Sequence, residues 1–164
     1  MALEMRTFGD PVLKSRAAPV RSFDGSLARL AEEMFETMRE HEGVGLAANQ
    51  VGRLKRIFVA EVEDRRLVVV NPVIEEASKE TERAEEGCLS IPGVRVEVER
   101  PASVVLVGQD LEGAPLRIEA EGLLARVVQH ETDHLDGILI LDRVDRETRR
   151  AALRELRERM LNSR

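Results

Sequence analysis

The sequence predicts an α+β fold, and three features carry that prediction. A helical pattern near the N-terminus is followed by a run of strand patterns and then by two more helical patterns, an order of runs rather than the alternation of a parallel sheet. Val94–Glu99 alternates valine with charge, the mark of a half-buried antiparallel strand. Leu123, Leu124, Val127, Val128 and Leu135 recur at helical spacing, with Gly137 placed to cap a helix C-terminus. The expected architecture is antiparallel strands packed around that central helix, flanked by an N-terminal and a C-terminal helix.

Residues 1–24 carry Pro11 and Pro19 and read as an extended arm with a turn at Asp10–Lys14. A helix is expected over Ser26–Glu42, where Leu27, Leu30, Ala31, Met34 and Met38 keep one apolar face for core packing and Gly43 stops it. Gly43–Gln50 is dense in small residues and leaves its backbone open to close approach. It lacks the Gly-Lys-Ser/Thr ending of a phosphate loop. Strands are expected over Arg56–Val62, Leu67–Val73, Val94–Glu99, Ser103–Gln109 and Leu116–Ala120, with turns at Arg100-Pro101 and Glu112–Pro115. Glu85–Ser90 falls between strands, and Ile138–Leu141 reads as a short extended segment. Asp145 then caps a last helix running to about Leu161. Leu153, Leu156 and Met160 form its apolar stripe, and its mixed arginines and glutamates read as a solvated face. No repeat or linker divides the chain, so residues 1–164 are expected to form one domain.

Composition narrows the function classes. At 43% hydrophobic and 34% charged the chain reads as globular, and no apolar run approaches a membrane span. The first residues lack the apolar core of a signal peptide, so the cytoplasm is the expected location. A net charge of −6, without Trp or Tyr, argues against general or sequence-specific nucleic-acid binding. The single Cys88 cannot form an internal disulfide.

Residues 129–137 read Gln-His-Glu-Thr-Asp-His-Leu-Asp-Gly. His130 and His134, four apart on a helix, point about 40° from each other. Two imidazoles on one face can share a metal ion, with Glu131 beside them as a general base, so the central helix is expected to bind metal. The longer zincin motif asks for a third histidine where Ile140 stands, so the third ligand lies elsewhere. Cys88 is the preferred one: two imidazoles and a thiolate leave a fourth corner open, as in catalytic sites. His41, Glu147 and Glu155 are the alternatives.

Three segments together resemble the peptide deformylase family. Its pattern is Gly-apolar-Gly-apolar-Ala-Ala-x-Gln, then Glu-Gly-Cys-apolar-Ser, then His-Glu-x-x-Asp-His. Gly43–Gln50 and Glu86–Ser90 match in full. His130–His134 matches apart from Thr132, which takes a commonly apolar position and is not a ligand. The resemblance spans most of the chain, from the Asp10-Pro11 turn to the end of the His134 helix.

The resemblance implies a metal-dependent hydrolase that removes the N-formyl group from formylmethionine on newly made polypeptides. Cys88, His130 and His134 would hold the ion, and a metal-bound hydroxide would attack the formyl carbon with Glu131 as general acid and base. Gln50 and the Leu89 N–H would be the donors to the oxyanion. Val44, Gly45 and Leu89–Ile91 would hydrogen-bond an extended peptide, while Leu123, Val127 and His130 would take the methionine side chain, with Arg126 near the rim. Glu42 and Arg95 are expected to pair along the groove, and Asp133 to orient a ligand or pair with an arginine. The implied ion is Fe²⁺, for which Zn²⁺ or Ni²⁺ substitutes. Nascent formylmethionyl chains are the implied partners, with ribosome docking through the C-terminal arginines as a further expectation.

Overall fold

Strand β2 (Ile57–Val62) is apolar on both faces, and the fold is arranged on either side of it. The computed structural model describes residues 1–162. Helix α1 (Gly25–Glu40) and the short strand β1 (Gly45–Ala47) precede β2. After it come β3 (Arg65–Ala77), β4 (Thr81–Cys88), β5 (Ile91–Pro101), β6 (Ser103–Gln109) and β7 (Pro115–Glu121). Helices α2 (Gly122–Leu135) and α3 (Arg146–Asn162) close the order. An antiparallel five-stranded sheet runs β1-β2-β3-β6-β7, and β4 and β5 form a separate antiparallel ribbon. The fold is α+β, as the sequence predicts.

Period-two burial explains the layers. Phe58, Ala60 and Val62 pack with Val104, Leu106 and Ile118 against Leu124, Ala125, Val127 and Val128 of α2. The intervening Ile57 and Val59 pack on the other face against Leu27, Leu30, Met34, Phe35 and Met38 of α1. Val94, Val96 and Val98 of β5 turn inward to meet Ala152 and Leu156 of α3, while Arg95, Glu97 and Glu99 stay exposed. Helix α2 is thereby buried on nearly every side, from Leu124 to Leu135. No helix among the described residues is long and apolar enough to cross a membrane.

Helix ends follow the local chemistry. The Asp24 carboxylate accepts from the Ser26 and Leu27 N–H groups at the start of α1. The helix stops two residues before the expected Glu42, because Glu42 itself turns left-handed (φ 55°) and Gly43 N–H reaches back to Met38 O at 2.9 Å. At the end of α2 the same motif uses Gly137 as expected, with φ 74° and Ile138 N–H on Asp133 O at 2.9 Å. Asp145 caps α3 by accepting from Thr148 N–H at 2.7 Å.

Four segments depart from expectation. Arg100-Pro101, expected as a turn, lies within β5 and pairs with Glu82 and Thr81 of β4. Residues 81–88 form strand β4 rather than a connection between strands. Its charged sequence becomes a strand through cross-strand pairs with β5, Arg83 with Glu97 and Thr81 with Glu99. Strand β3 continues past Pro72 because a bulge at Asn71 (φ 52°) absorbs the missing donor. Ile140–Asp142 is a 3₁₀ turn rather than an extended segment, held by Asp142 accepting from Leu139 N–H.

Candidate metal centre

Helix α2 and the end of β4 meet at the floor of a groove of about 650 Å³. The helical repeat places His130 and His134 side by side with their Nε2 atoms 3.2 Å apart. Cys88 enters at the irregularity that ends the β4–β5 ladder, its Sγ 3.4 Å from His134 Nε2. One donor atom from each of the three residues lies within 4.8 Å of the others.

These residues fit a metal ion. Ligand bonds of about 2.0–2.3 Å meeting at tetrahedral angles set donors roughly 3.3–3.6 Å apart, close to the observed 3.2 and 3.4 Å. Two imidazoles and a thiol are also a donor set for borderline divalent ions. The buried Glu131 Oε1 has no hydrogen-bond partner among the described residues, a demand that a water or ion beside it would meet. Among the described residues the other third-ligand candidates, His41, Glu147 and Glu155, do not join this donor group. The His41 ring is tied at Nδ1 to Thr37 O, and Glu155 pairs with Arg159 on α3.

A buried charge network stands behind the cluster. Glu86 Oε1 meets His130 Nδ1 at 2.9 Å, which fixes the ring and turns Nε2 toward Cys88 and His134. Arg100 forks onto Glu86 at 2.6 and 2.9 Å and reaches Asp133 at 2.9 Å. Arg126 also donates to Glu86, and Arg143 to both oxygens of Asp133. Burial pushes the Glu86 carboxyl up, but His130 and Arg100 outweigh it and hold the group at about 2. Burial is the chief cause that raises Glu131 to about 7.

Gln50 is 1% exposed and sits on the 3₁₀ turn after β1. Its Oε1 accepts from Ala47 N–H at 3.0 Å, so Nε2 faces Ser90 Oγ at 3.2 Å and Cys88 Sγ at 3.6 Å. Gly45 must lack a side chain: a Cβ there would lie 2.5 Å from Glu131 Oε2. Leu89, Val44, Leu123 and Val127 line the groove, Val44 and Leu123 about half exposed.

One expectation about the surroundings changes. Arg95 and Glu42 both border the groove, but Arg95 pairs with Glu85 at 3.6 Å rather than with Glu42. Glu85 and Arg95 both stem from the β4–β5 ribbon, and the sequence of β4 carries no strand pattern that would announce it. Asp133 takes the second of its two expected roles: it pairs with Arg100 and Arg143, and is linked to His130 through Arg100 and Glu86. Sequence reasoning gave Arg100, Arg143 and Glu86 no role, and Ser90 only a place in the peptide-binding segment Leu89–Ile91. Arg100 lies 33 residues from Asp133, and no local pattern links them.

A family model described as polypeptide deformylase matches residues 2–150. The chain belongs to that family. Peptide deformylase 1 of Corynebacterium efficiens is 52% identical over 158 residues, covering 94% of each chain. The crystal structure of the peptide deformylase from Thermus thermophilus superimposes with a TM-score of 0.92 at 45% identity, over 98% of this chain and 96% of that one. The Legionella pneumophila peptide deformylase gives 0.94 at 38% identity, over 100% and 99%. Peptide deformylases are hydrolases of N-terminal processing in protein biosynthesis, removing the formyl group from the methionine that begins nascent polypeptides. The deformylase fold here carries a Cys88, His130 and His134 group that could hold its metal.

Proposed function

We propose that this deformylase uses a divalent ion held by Cys88, His130 and His134, with residues 1–164 acting as one catalytic domain. The observation that carries the reading is the clustering of these three donors, with Cys88, His130, Glu131 and Gln50 lining one groove. When bound, the ion supplies Lewis acidity that acidifies a water and polarises the formyl oxygen.

The chain's own residues do the rest. Glu131, buried beside the three donors, takes a proton and returns it to the departing amine. Gln50 Nε2, aimed by Ala47 and Ser90, and the Leu89 N–H donate to the oxyanion; losing one such donor typically costs about 3 kcal/mol of barrier. Strand β1 is an edge strand. A formylated peptide lies along Val44, Gly45 and Leu89–Ile91 as an added strand. Leu123, Val127 and His130 receive the methionine side chain, and Glu42 and Arg95 border the residues that follow. Asp133, through Arg100 and Glu86, steadies His130.

The working ion is Fe²⁺, with Zn²⁺ or Ni²⁺ as substitutes on the same donors. Fe²⁺ binds such sites more weakly than either and is readily displaced. The enzyme acts in the cytoplasm on chains emerging from the ribosome. The exposed Arg150, Arg154 and Arg157, at i, i+4 and i+7 of α3, supply a basic stripe for ribosomal phosphates. Reversing their charge is expected to abolish salt-dependent co-sedimentation with ribosomes; unchanged binding would remove this role.

The test of the reaction is formate release from formyl-Met-Ala-Ser by anaerobically purified protein, with and without added Fe²⁺. Release that vanishes in Glu131→Ala with metal still bound supports the assignment. Cleavage of unformylated peptides without formate would point to a peptidase instead.

A further inference from the structure

The N-terminal arm, unused in the chemistry above, runs directly against two catalytic segments. Arg6 N–H donates to the Gln50 carbonyl at 2.7 Å, and Phe8 N–H donates to the Ser90 carbonyl at 2.8 Å. Gln50 follows a strand of the five-stranded sheet, whereas Cys88–Ser90 ends a strand of the separate ribbon. No strand ladder joins those two sheets among the described residues. In an extended segment, N–H groups two residues apart face one edge about 6.6 Å from each other. Residues 6–8 therefore set how far the Gln50 turn stands from the Leu89 turn.

Side chains tighten the same span. Arg6 lies over Gly52, the left-handed residue (φ 78°) that closes the Gln50 turn, where a Cβ would sit 3.0 Å from Arg6 Nε. The fully buried Ser90 hydroxyl accepts from Gln50 Nε2 at 3.2 Å and donates to Met5 Sδ at 4.0 Å. Leu3 N–H anchors the arm to α1 through Thr37 Oγ1 at 2.8 Å.

We propose that residues 5–8 are a positioning strap for deformylation, holding the Gln50 amide and the Leu89 N–H at the separation the oxyanion requires. The proposal rests on the assignment of those two groups as its donors. Arg6 and Phe8 bond the backbones of the segments that carry them and act through those segments. Oxyanion donors work only within about 2.7–3.1 Å of the oxygen, and a misplacement of about 1 Å can cost roughly a hundredfold in rate. Two sheets with no shared ladder need such a tie to keep that tolerance.

The experiment is a double-mutant cycle on the full-length, Fe²⁺-loaded enzyme, read as kcat and KM for formate release from formyl-Met-Ala-Ser. Arg6→Pro removes the N–H that holds Gln50. It is expected to lower kcat about tenfold, with KM and metal content within about twofold. In a Gln50→Ala background the same change is expected to lower kcat by less than about twofold, since the donor it positions is gone. An unchanged kcat, or an equal fall in both backgrounds, would overturn the strap and leave the arm a stabilising segment only. If Arg6→Pro does not fold, one glycine inserted between Arg6 and Thr7 lengthens the span while keeping every side chain, and the same cycle and criteria apply. A Gln50→Ala enzyme that keeps its kcat would instead overturn the donor assignment, and the strap with it.

Discussion

Arg100 is the residue whose removal most directly probes the charge network behind the candidate metal centre. It is 4% exposed, forks onto Glu86 and also binds Asp133. Arg100→Leu keeps the volume roughly filled but leaves two buried carboxylates short of a partner. Breaking a buried ion pair by removing one side usually costs about 3–5 kcal/mol. Here Glu86 retains Arg126 and His130, and Asp133 retains Arg143. The lower end, about 3 kcal/mol, is therefore expected. For a chain of this length that lowers Tm by roughly 6–12 °C, measurable by circular dichroism at saturating metal. Because Glu86 orients His130, affinity for the ion should fall about 10–100-fold as well. Arg100→Lys, which keeps the charge without the fork, should fall between the two proteins. A variant within about 2 °C of the parent, with unchanged metal affinity, would refute the idea that this network supports the site.

Other consequences are equally direct. Gly45→Ala places a methyl group 2.5 Å from Glu131 Oε2; displacement of that carboxylate should cut kcat about a hundredfold while Tm changes little. Gly137→Ala combines a left-handed backbone with a contact 2.5 Å from the Lys14 carbonyl, so denaturant unfolding should show a loss of at least about 2 kcal/mol. Burial pushes the Asp142 carboxyl up, but the Leu139 N–H, Lys14 and Arg149 outweigh it and hold the group below its ordinary 3.8. A depressed carboxyl stabilises the fold above its unfolded value and loses that contribution as pH falls below it. The stability gap between the parent and Asp142→Asn should therefore narrow from pH 5 to pH 3, and a gap that widens would contradict this.

Much of this arrangement is legible in the sequence because it is local. Helical spacing places His130, Glu131 and His134, and valine alternation places β5 with its inward face. Gly137 announces the end of α2. Other parts have no local signature. Thr81–Cys88 is charged and poor in strand formers, and it becomes a strand only because β5 lies beside it. Glu42 takes a left-handed conformation that a sequence reader assigns to the following glycine. Arg100, Glu86 and Asp133 converge from three elements, so the network emerges only once the ribbon is folded over α2. The same holds for the arm, where Arg6 and Phe8 act through backbone N–H groups and their side-chain identity reveals nothing of it.

The most direct test of the central claim is metal content and formate release measured together on anaerobically purified parent and Cys88→Ala proteins. The parent should hold one ion per chain and release formate from formyl-Met-Ala-Ser, and the variant should lose both. A Cys88→Ala protein that keeps its metal and its activity would contradict the three-ligand centre and require another donor beside His130 and His134.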